Sequence, residues 1–376
     1  MIDWGMPLTA VIGGAGKTCT AHLVRRMLEA GTDQKLGLIT TRHSYLDEKI
    51  LPAPQWSNWK EALPTTLGSM KHAGCTGVIV AMTVPMLEAG LSEGLRFQTA
   101  VVTSLQDCVE AERVCAFLAG RCELLVCSVD DEEGRYLAGR WTGKRHTYAE
   151  KRQEADINGR NLRVLPDRIE FEALTIEGIA RVRLPVPGGF GLYHSLAALA
   201  VGHWFGIPLP RMAAILGSAG GVAGRMELHT LPKGGGVLID SACTPEQMEN
   251  LLLTAREMVE GRLLLVCGAP GDRNRSERKP LGEVISRMAD RVILTADDPR
   301  TEPVEEICRD IRAGMTGRKG TVLPDREKAI RRALQWLEPG DLLILAGRGD
   351  RDTMLVGEEE VAFDERTVLR KAGVPI

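Results

Sequence analysis

The sequence predicts an α/β protein of two units, a doubly wound, largely parallel sheet followed by a second α/β layer. Short apolar runs rich in Val, Ile and Leu alternate with helical patterns along most of the chain. Continuous apolar strands of this kind suit a parallel sheet that is covered on both faces. A stretch rich in Gly at 217–236 is the best candidate for the boundary between the two units.

Five apolar runs predict the strands of the first unit: TAVIGG, KLGLITT, GVIVAMT, TAVVTSL and CELLVCSVD. We therefore expect residues 8 to about 130 to form the doubly wound layer. From 145 to 185 apolar and polar residues alternate between Pro and Gly turns, which predicts an antiparallel region of short strands. Two helices are expected next, in YHSLAALAVGHWFG and PLPRMAAILGSA.

The second unit starts at GVLIDSACTPEQMENLLLTAREMV and continues through RLLLVCGAPGD, RVILTADDPR and DLLILAGRGD. Each strand ends in small or polar residues, as expected where ligand loops leave the carboxyl ends of parallel strands. The predicted domains are residues 1–222 and 223–376.

Composition excludes several classes of function. The chain has 376 residues, a net charge of −3 and 4% aromatic residues, so neither a basic surface nor a base-stacking platform is expected. No apolar run reaches the roughly 20 residues of a membrane span, and no secretory signal is visible. The nine cysteines form no C-x-x-C or Cys/His cluster, which favours reduced thiols over a zinc site. We expect a cytoplasmic protein with no nucleic-acid or membrane partner.

A phosphate-binding loop is predicted at Gly13, Gly14, Gly16, Lys17 and Thr18, between an apolar strand and a helical pattern. Glycines let backbone N–H groups point at phosphate oxygens, and the helix N-terminus adds partial positive charge. Lysine is suited to bridge terminal phosphates, and a threonine hydroxyl to ligate Mg²⁺. The spacing is one residue shorter than the usual G-x-x-x-x-G-K-[ST] pattern. The alternative is a Gly-rich turn with a chance Lys-Thr pair.

Four ordered motifs in the second half resemble the Mur ligases, most nearly the type that adds the third amino acid of the peptidoglycan precursor. They are GVAGRMELH (221–229), VLIDSACTPEQMENLL (237–252), CGAPGDRNRSERKPLGEVISRMADRVILTADDPRTE (267–302) and AGRGDRD (346–352). LPVPGGFGLYHSLAALA and FDERTVLRKAG fit the same family. The resemblance implies a P-loop-type ATPase domain followed by a Rossmann-like C-terminal domain.

The resemblance also implies a reaction. ATP phosphorylates a carboxylate, an amine attacks the acyl phosphate, and an amide forms with release of ADP and phosphate; Mg²⁺ would neutralise the phosphate charge. The implied ligands are ATP, Mg²⁺, a small-molecule carboxylate and an amine. The resemblance assigns catalytic roles to Lys17 and Arg225. It assigns nucleotide binding to the phosphate loop with Asp240, Asp272 and Arg273, and Mg²⁺ binding to Thr18. A helix cap or turn is the alternative role for Asp240 and Asp272.

The amine pocket matches the family in part. Asp298 and Arg300 lie in DDPR, which resembles the family's DNPR, whose Arg grips the carboxylate of diaminopimelate. Arg351 stands where the family's GKGHE motif has a glutamate that receives an amine. Reversing the charge there should reject a diamino acid. We expect Asp298, Arg300 and Arg351 to bind the amine substrate.

Other departures concern the metal and the substrate. The family's EVSSHAL, with a Mg²⁺-binding glutamate, is here the segment from Ala81 through Pro85 to Leu87, and an alanine cannot ligate a hard cation. The family's metal-binding His and carbamylated Lys have no counterpart in TSLQDCVEAERVCAFLAGRCELL. There, Asp107 and Glu110 offer substitute oxygens, or form a solvated helix face. The chain also starts at the ATPase domain, so we expect a carboxylate other than a UDP-MurNAc peptide.

Cys243 takes a position in the motif that the family writes DYAHTP, which here reads DSACTP. A nucleophilic role competes with that of a small packed thiol, and we favour the thiol. Three functions therefore stay open: a divergent amide ligase, a non-catalytic relative that binds nucleotide or a protein partner, and a plain P-loop ATPase or kinase, against which the C-terminal motifs argue.

Overall fold

The chain divides into two compact units. The structure is a computed structural model that describes residues 5–47, 49–54, 58–232, 234–317 and 320–376. The first unit holds the described parts of Met1–Arg163 with Ile169–Pro185 and Gly189–Ala219. The second holds Val164–Arg168, Val186–Gly188 and the described part of Gly220–Ile376. The division at Ala219 and Gly220 therefore falls inside the predicted Gly-rich boundary, and two short segments from before it belong to the second unit. The domain limits 1–222 and 223–376 stay a prediction.

The first unit alternates strands and helices. Its strands are β1 (Leu8–Ile12), β2 (Leu36–Ile39), β3 (His43–Leu46), β4 (Lys49–Pro52), β5 (Gly77–Met82), β6 (Phe97–Val102), β7 (Cys122–Ser128), β8 (Lys144–Ala149), β9 (Ile157–Val164), β10 (Ile169–Thr175) and β11 (Gly178–Leu184). Its helices are α1 (Lys17–Thr32), α2 (Trp59–His72), α3 (Val84–Glu88), α4 (Cys108–Leu118), α5 (Glu132–Arg140), α6 (Gly191–Trp204) and α7 (Leu209–Gly217).

The 11 strands form one sheet in the order β11-β10-β9-β8-β7-β6-β1-β5-β2-β3-β4. The neighbours in the run β9-β8-β7-β6-β1-β5-β2 pair in parallel, with β1 between β5 and β6, whereas β3 and β4 add an antiparallel edge next to β2. Every residue of β1, β2 and β5 is buried, which agrees with their continuous apolar sequence. The central position of β1 places the loop that follows it at the middle of the sheet's carboxyl edge.

The antiparallel region is smaller than the sequence predicts. β8 pairs in parallel with β7, and β9 in parallel with β8, whereas β10 and β11 form an antiparallel pair. The prediction of an antiparallel strand from residue 145 was therefore wrong for β8, which pairs in parallel on both sides, while β9 pairs with β8 at its first two residues and neighbours β10 on its other side. β8 begins with exposed residues and ends buried, so its mixed pattern looks like that of a half-exposed antiparallel strand.

The second unit contains β12 (Glu227–Thr230), β13 (Gly236–Asp240), α8 (Pro245–Met258), β14 (Leu263–Cys267), α9 (Arg278–Met288), β15 (Arg291–Leu294), α10 (Val304–Arg312), β16 (Thr321–Val322), α11 (Arg326–Trp336), β17 (Leu342–Ala346), β18 (Thr353–Val356), β19 (Glu359–Ala362) and α12 (Glu365–Lys371). A short 3₁₀ turn at Arg275–Glu277 precedes α9. Six strands form a sheet in the order β12-β13-β17-β14-β15-β16, and β18 pairs with β19.

Parallel pairing joins β13, β17, β14, β15 and β16, with β12 antiparallel at the edge. Two apolar clusters cover the two faces of this sheet, one with α8, α9 and α10 and the other with α11 and α12. This is a Rossmann-like layer, and the predicted α/β fold class is confirmed. Within the described residues, no helix is both long and apolar enough to cross a membrane.

Candidate functional site

The predicted phosphate loop lies between β1 and α1 in the expected strand–loop–helix context. β1 ends at Ile12 and α1 begins at Lys17, with Gly16 as the N-cap in a left-handed conformation (φ 75°). A helix start leaves its first amides outside the intrahelical ladder, and glycine has no side chain to cap them. The N-terminus of α1 therefore has the geometry of an anion site.

The first three residues of the loop are tied to neighbouring strands by their amides. Gly13 N donates to Met82 O at 3.2 Å, and Gly14 N donates to Ser104 O at 3.1 Å. Ala15 N donates to Ser104 Oγ at 2.9 Å. These bonds hold the loop between the ends of β5 and β6. Because the three amides are already hydrogen-bonded, the backbone N–H groups left to contact a phosphate are those at the start of α1.

Lys17 folds back over the same loop. Its Nζ donates to Gly14 O at 2.8 Å, and the side chain stays half-buried. The Thr103 hydroxyl donates to Ala15 O at 2.9 Å and braces the loop from the other side. The ammonium of Lys17 thus lies at the loop that the sequence predicts to hold phosphate, with Thr18 next to it in α1.

The segment where the family has a metal-binding glutamate is apolar. Ala81 is fully buried inside β5, and Pro85 lies in the first turn of α3. Over the described ranges, no group of three or more His, Cys, Asp or Glu side chains is arranged to hold a metal ion.

Asp107 and Glu110 form a reciprocal helix cap. Glu110 N donates to Asp107 Oδ1 at 2.8 Å, while Glu110 Oε2 accepts from Gln106 N at 2.8 Å. The arrangement is close to a capping box, except that Glu110 accepts from the amide of Gln106, one residue before the N-cap Asp107. Both carboxylates are therefore engaged in the local backbone, which is more specific than the solvated face that the sequence suggests.

In the second unit the predicted residues collect at the carboxyl edge of the parallel sheet. Asp240 ends β13; its Oδ2 accepts from Met226 N and its Oδ1 from Ala242 N, both at 2.8 Å. Gly347 N donates to Asp240 O at 3.0 Å, which joins the loops after β13 and β17. Arg225 Nη1 lies 3.9 Å from Asp350 Oδ1 in the second of these loops.

Asp272 is a turn carboxylate in the loop after β14. Its Oδ1 accepts from the Thr301 hydroxyl at 2.7 Å, and its own amide donates to Glu302 Oε1 at 2.6 Å. Glu302 is held in turn by the buried Arg278 at 2.7 Å. Arg273, the neighbouring residue, is exposed. The geometry of Asp272 is that of the turn that the sequence leaves open as its alternative role.

A buried ion-pair cluster connects the loops after β15 and β17. Arg348, with no exposed surface, donates to Asp298 Oδ1 at 3.0 Å and to Asp297 O at 2.9 Å. Arg351 donates to the other oxygen of Asp298. Burial raises the pKa of Asp298, but the charges and hydrogen bonds of Arg351 and Arg348 outweigh it and hold the pKa below its usual value. Asp298 and Arg351, both predicted to bind the amine, therefore bind each other.

Arg300 differs from its neighbours in this cluster. Its backbone is left-handed (φ 53°), a conformation that costs a residue other than glycine about 1–2 kcal/mol. The backbone is held there by Arg300 N to Leu355 O at 3.1 Å and by Gly357 N to Arg300 O at 2.7 Å. Its Nε is buried and, in the described part of the chain, has no hydrogen-bond partner. Strain combined with an unsatisfied donor is typical of a binding position.

Cys243 precedes the Thr244 cap of α8 and is half-buried. Its amide donates to Gln247 Oε1 at 3.3 Å, and its sulfur lies 4.0 Å from the same oxygen. These contacts suit the packed thiol that we expect there.

Four residues of the two sites were missed from the sequence. Ser104, just after β6, and His194, in α6, contact the phosphate loop from far along the chain. Arg348 stands in the quoted GRG motif, and its conversion from the family's Lys was a usable signal. Arg326 lies fully buried against Glu365 at 2.8 Å and donates to Ala346 O at the end of β17.

Comparisons with known proteins agree with this architecture. Residues 224–349 match the family described as Mur ligase, glutamate ligase domain. The UDP-N-acetylmuramoyl-L-alanyl-D-glutamate–2,6-diaminopimelate ligase of Synechococcus elongatus is 34% identical over 381 residues, spanning 98% of this chain and 76% of that protein.

Two solved structures share the fold. A UDP-N-acetylmuramoyl-L-alanyl-D-glutamate–2,6-diaminopimelate ligase superimposes with a TM-score of 0.66 at 23% identity, over 98% of this chain and 78% of the other. A Mycobacterium tuberculosis folylpolyglutamate synthase solved with ADP and AMPPCP gives 0.71 at 15% identity, over 91% and 88%. Because a relative above 30% identity is covered over most of its length, the chain belongs to the Mur ligase family.

Proposed function

We propose that this protein is a divergent ATP-dependent amide ligase that joins a small-molecule carboxylate to an amine through an acyl phosphate. The observation that carries the proposal is the phosphate loop, with Lys17 folded over Gly14 at the start of α1. A carboxylate oxygen attacks the terminal phosphorus of ATP and ADP leaves. The amine nitrogen then attacks the acyl carbon, phosphate leaves, and the nitrogen loses a proton.

Lys17, Thr18 and the amides at the start of α1 would bind the nucleotide phosphates. In the second unit, Arg225, Asp240, Asp272 and Arg273 are the further nucleotide contacts. The extensive hydrogen bonds of Asp240 and Asp272 support a positioning role for these two. They hold loops at the carboxyl edge of a parallel sheet, where ligands of such folds bind.

Mg²⁺ is implied by the family, but the residues present do not fit an ion held by protein carboxylates, because Ala81 is apolar and Asp107 and Glu110 cap a helix. We propose that the ion travels with the nucleotide phosphates, and that the hydroxyl of Thr18 is a protein oxygen that could ligate it. None of the steps above is assigned to it.

The amine is proposed to be an amino acid with a single ammonium group. Arg300 offers a guanidinium suited to a carboxylate, while Arg348 and Arg351 put two further positive charges around Asp298. A second substrate ammonium beside Arg351 would meet a like charge, which costs affinity. The prediction that the acceptor is not a UDP-MurNAc peptide stays open to the same test.

The second candidate is a relative that binds nucleotide, or a protein partner, without ligation. The buried Ala81 and the absence of a metal-binding group in the described residues favour it. Loss of a transition-state charge interaction typically lowers a rate by orders of magnitude.

One assay separates the two. Purified protein is incubated with Mg·ATP, single amino acids and a panel of carboxylates that includes UDP-MurNAc-L-Ala-D-Glu, and ADP release is followed. The ligase predicts release that requires both an amine and a carboxylate, and that falls at least about 100-fold in Lys17→Ala. Nucleotide binding without release under any pairing would support the second candidate instead.

A further inference from the structure

The guanidinium of Arg366 ties together two segments of the second unit. Arg366 lies in the first turn of α12, where its Nε donates to Glu227 Oε1 at 2.9 Å and its Nη2 donates to Glu227 Oε2. Its remaining nitrogen, Nη1, donates to the carbonyl oxygen of Gly349 at 3.3 Å. Glu227 begins β12, and Gly349 lies in the loop after β17. One side chain therefore joins the start of β12 to that loop.

Glu227 in turn holds the turn before β12, which consists of residues 224–226. Its Oε2 accepts from the amide of Gly224 at 2.6 Å, so the carboxylate closes over the turn that carries Arg225. Gly224 (φ 65°) and Met226 (φ 46°) are both left-handed there. Because this conformation is costly for a methionine, the surrounding contacts must hold the turn in its shape.

The same turn lies directly against the loop after β17. A Cβ built on Gly224 would collide with the amide of Asp350 and with the carbonyl carbon of Gly349. A Cβ built on Gly349 would come within 2.9 Å of Gly224 O and 3.1 Å of Arg225 Nη1. The two backbones are therefore in contact, and a shift of one segment would displace the other.

The bridge between Arg366 and Glu227 is largely sheltered from solvent, since their side chains are only 17% and 19% exposed. Burial raises the pKa of Glu227, but the hydrogen bonds from Arg366 and from the Gly224 amide outweigh it and hold the pKa below its usual value. A guanidinium that meets a carboxylate with two nitrogens fixes the direction of the contact as well as its distance. The bridge is therefore suited to holding the turn and the loop in one arrangement.

Both joined segments carry residues of the proposed site. The loop after β17 carries Arg348 and Arg351, which hold Asp298. The turn before β12 carries Arg225, whose Nη1 lies 3.9 Å from Asp350 Oδ1 in that loop. All three guanidinium nitrogens of Arg366 are used in the bridge, so an effect of Arg366 on a ligand passes through these segments.

We propose that Arg366, acting through Glu227, is a positioning residue that holds Arg225 and the loop after β17 in the arrangement that binds nucleotide and amine. This inference rests on the proposed ligase function and gives a role to a residue to which no motif of the sequence assigns one. The competing explanation is a purely structural ion pair, which would stabilise the second unit and leave ligand binding unchanged.

The test measures ligand binding and stability separately in matched variants. Arg366→Gln should raise the KM for the amino acid that gives the fastest ADP release with the parent protein roughly 10-fold, with kcat within about 3-fold. It should weaken ADP binding, measured by calorimetry, about 5-fold. Arg366→Lys keeps the charge but not the paired contact, so both values should be intermediate. Arg370→Gln, an exposed arginine on the same helix, is the control and should match the parent.

The partner residue supplies a second arm of the test. Glu227→Gln has nearly the same shape and should raise the same KM in the same direction as Arg366→Gln. The double variant should bind no worse than the weaker of the two single variants, because the two side chains act as one unit. Independent, additive losses would contradict a shared role of the bridge.

The outcomes separate the two proposals. An active parent and Arg366→Gln with equal KM and equal ADP affinity, but with a lower stability to urea, would overturn the inference and leave the ligase intact. A loss in Arg370→Gln as large as that in Arg366→Gln would also overturn it. A parent that neither binds ADP nor releases it with any carboxylate–amine pair would overturn both.

A measurement on the unmodified protein covers the case in which the variants fail to fold. With ¹⁵N-labelled arginine, the Nε–H resonance of Arg366 should be protected from solvent exchange and should shift when ADP is added, while that of Arg370 should not shift. An Arg366 resonance that stays unchanged at saturating ADP would show that the bridge does not respond to the nucleotide, which contradicts the proposal.

Discussion

Ser104 Oγ accepts a hydrogen bond from the amide of Ala15 at 2.9 Å, which joins the end of β6 to the middle of the phosphate loop. The same oxygen lies 3.2 Å from Ala15 O, so one hydroxyl contacts both polar groups of one loop residue. The loop shape is therefore set by a residue 89 positions away in sequence.

Ser104→Ala should weaken nucleotide binding, because the loop loses the contact that holds it in place before the ligand arrives. The loss of one hydrogen bond, about 1 kcal/mol, corresponds to a roughly 5-fold lower affinity for ADP. Calorimetry at constant pH measures the affinity of Ser104→Ala and of the parent protein for ADP. Affinity equal to or above that of the parent would mean that Ser104 competes with phosphate for the Ala15 amide.

Gly16→Ala should destabilise the fold as well as impair binding. Its positive φ and its contact with His194 together predict a loss of about 1–3 kcal/mol in the free energy of unfolding. Gly68→Ala is the matched control, since Gly68 lies inside α2 with open space around it. That change should stabilise by up to about 1 kcal/mol. Urea unfolding measures the free energy of unfolding of both variants. An unchanged free energy of unfolding in Gly16→Ala would contradict the predicted contact with His194.

Arg326→Met should strongly destabilise the second unit. Both Arg326 and Glu365 have no exposed side-chain surface, so removing one partner leaves a buried charge and costs about 3–5 kcal/mol. Arg331→Met removes a half-exposed pair with Glu327 on the same helix and should cost under about 0.5 kcal/mol. Chemical unfolding of the two variants should separate them clearly, and similar values would count against the buried pair.

The stability of the first unit should fall as the pH drops from about 6.5 to about 4. Burial lowers the pKa of His194 to about 4 from 6.5, so in that window the unfolded chain binds a proton that the folded chain does not. The contribution of His194 is therefore present above pH 6.5 and lost below it, by up to roughly 3 kcal/mol. Because carboxylates also titrate, the measurement is the difference between the parent and His194→Gln at each pH. A difference that stays constant from pH 7 to pH 4.5 contradicts this.

Arg300→Lys should raise the KM for the amine about 10-fold with little change in kcat, because lysine keeps the charge but cannot make a paired contact with a carboxylate. The strained backbone at Arg300 suits a residue retained for binding. Initial rates of ADP release, measured as the amine concentration is varied, give KM and kcat for the variant and the parent. A fall in kcat at unchanged KM would place Arg300 away from the amine.

The sequence predicts the sheet cores well because burial on both faces leaves long apolar runs, as in β1, β5 and β14. β8 was assigned the wrong direction because its two exposed first residues imitate antiparallel alternation. The phosphate loop was visible because its residues are adjacent in sequence. Ser104 and His194 lie in stretches that were compared with the family, but their contacts with the loop arise only through the fold, as does the contact of Arg326 with Glu365.

The fate of the carboxylate oxygen tests the central claim most directly. Carboxylate substrates labelled with ¹⁸O are incubated with ATP and amine, and the released phosphate is examined by ³¹P NMR. A ligase that acts through an acyl phosphate transfers one ¹⁸O from the carboxylate to each phosphate, and Lys17→Ala abolishes the transfer. Unlabelled phosphate, or none, with every carboxylate–amine pair and a protein that still binds ATP would contradict the ligase.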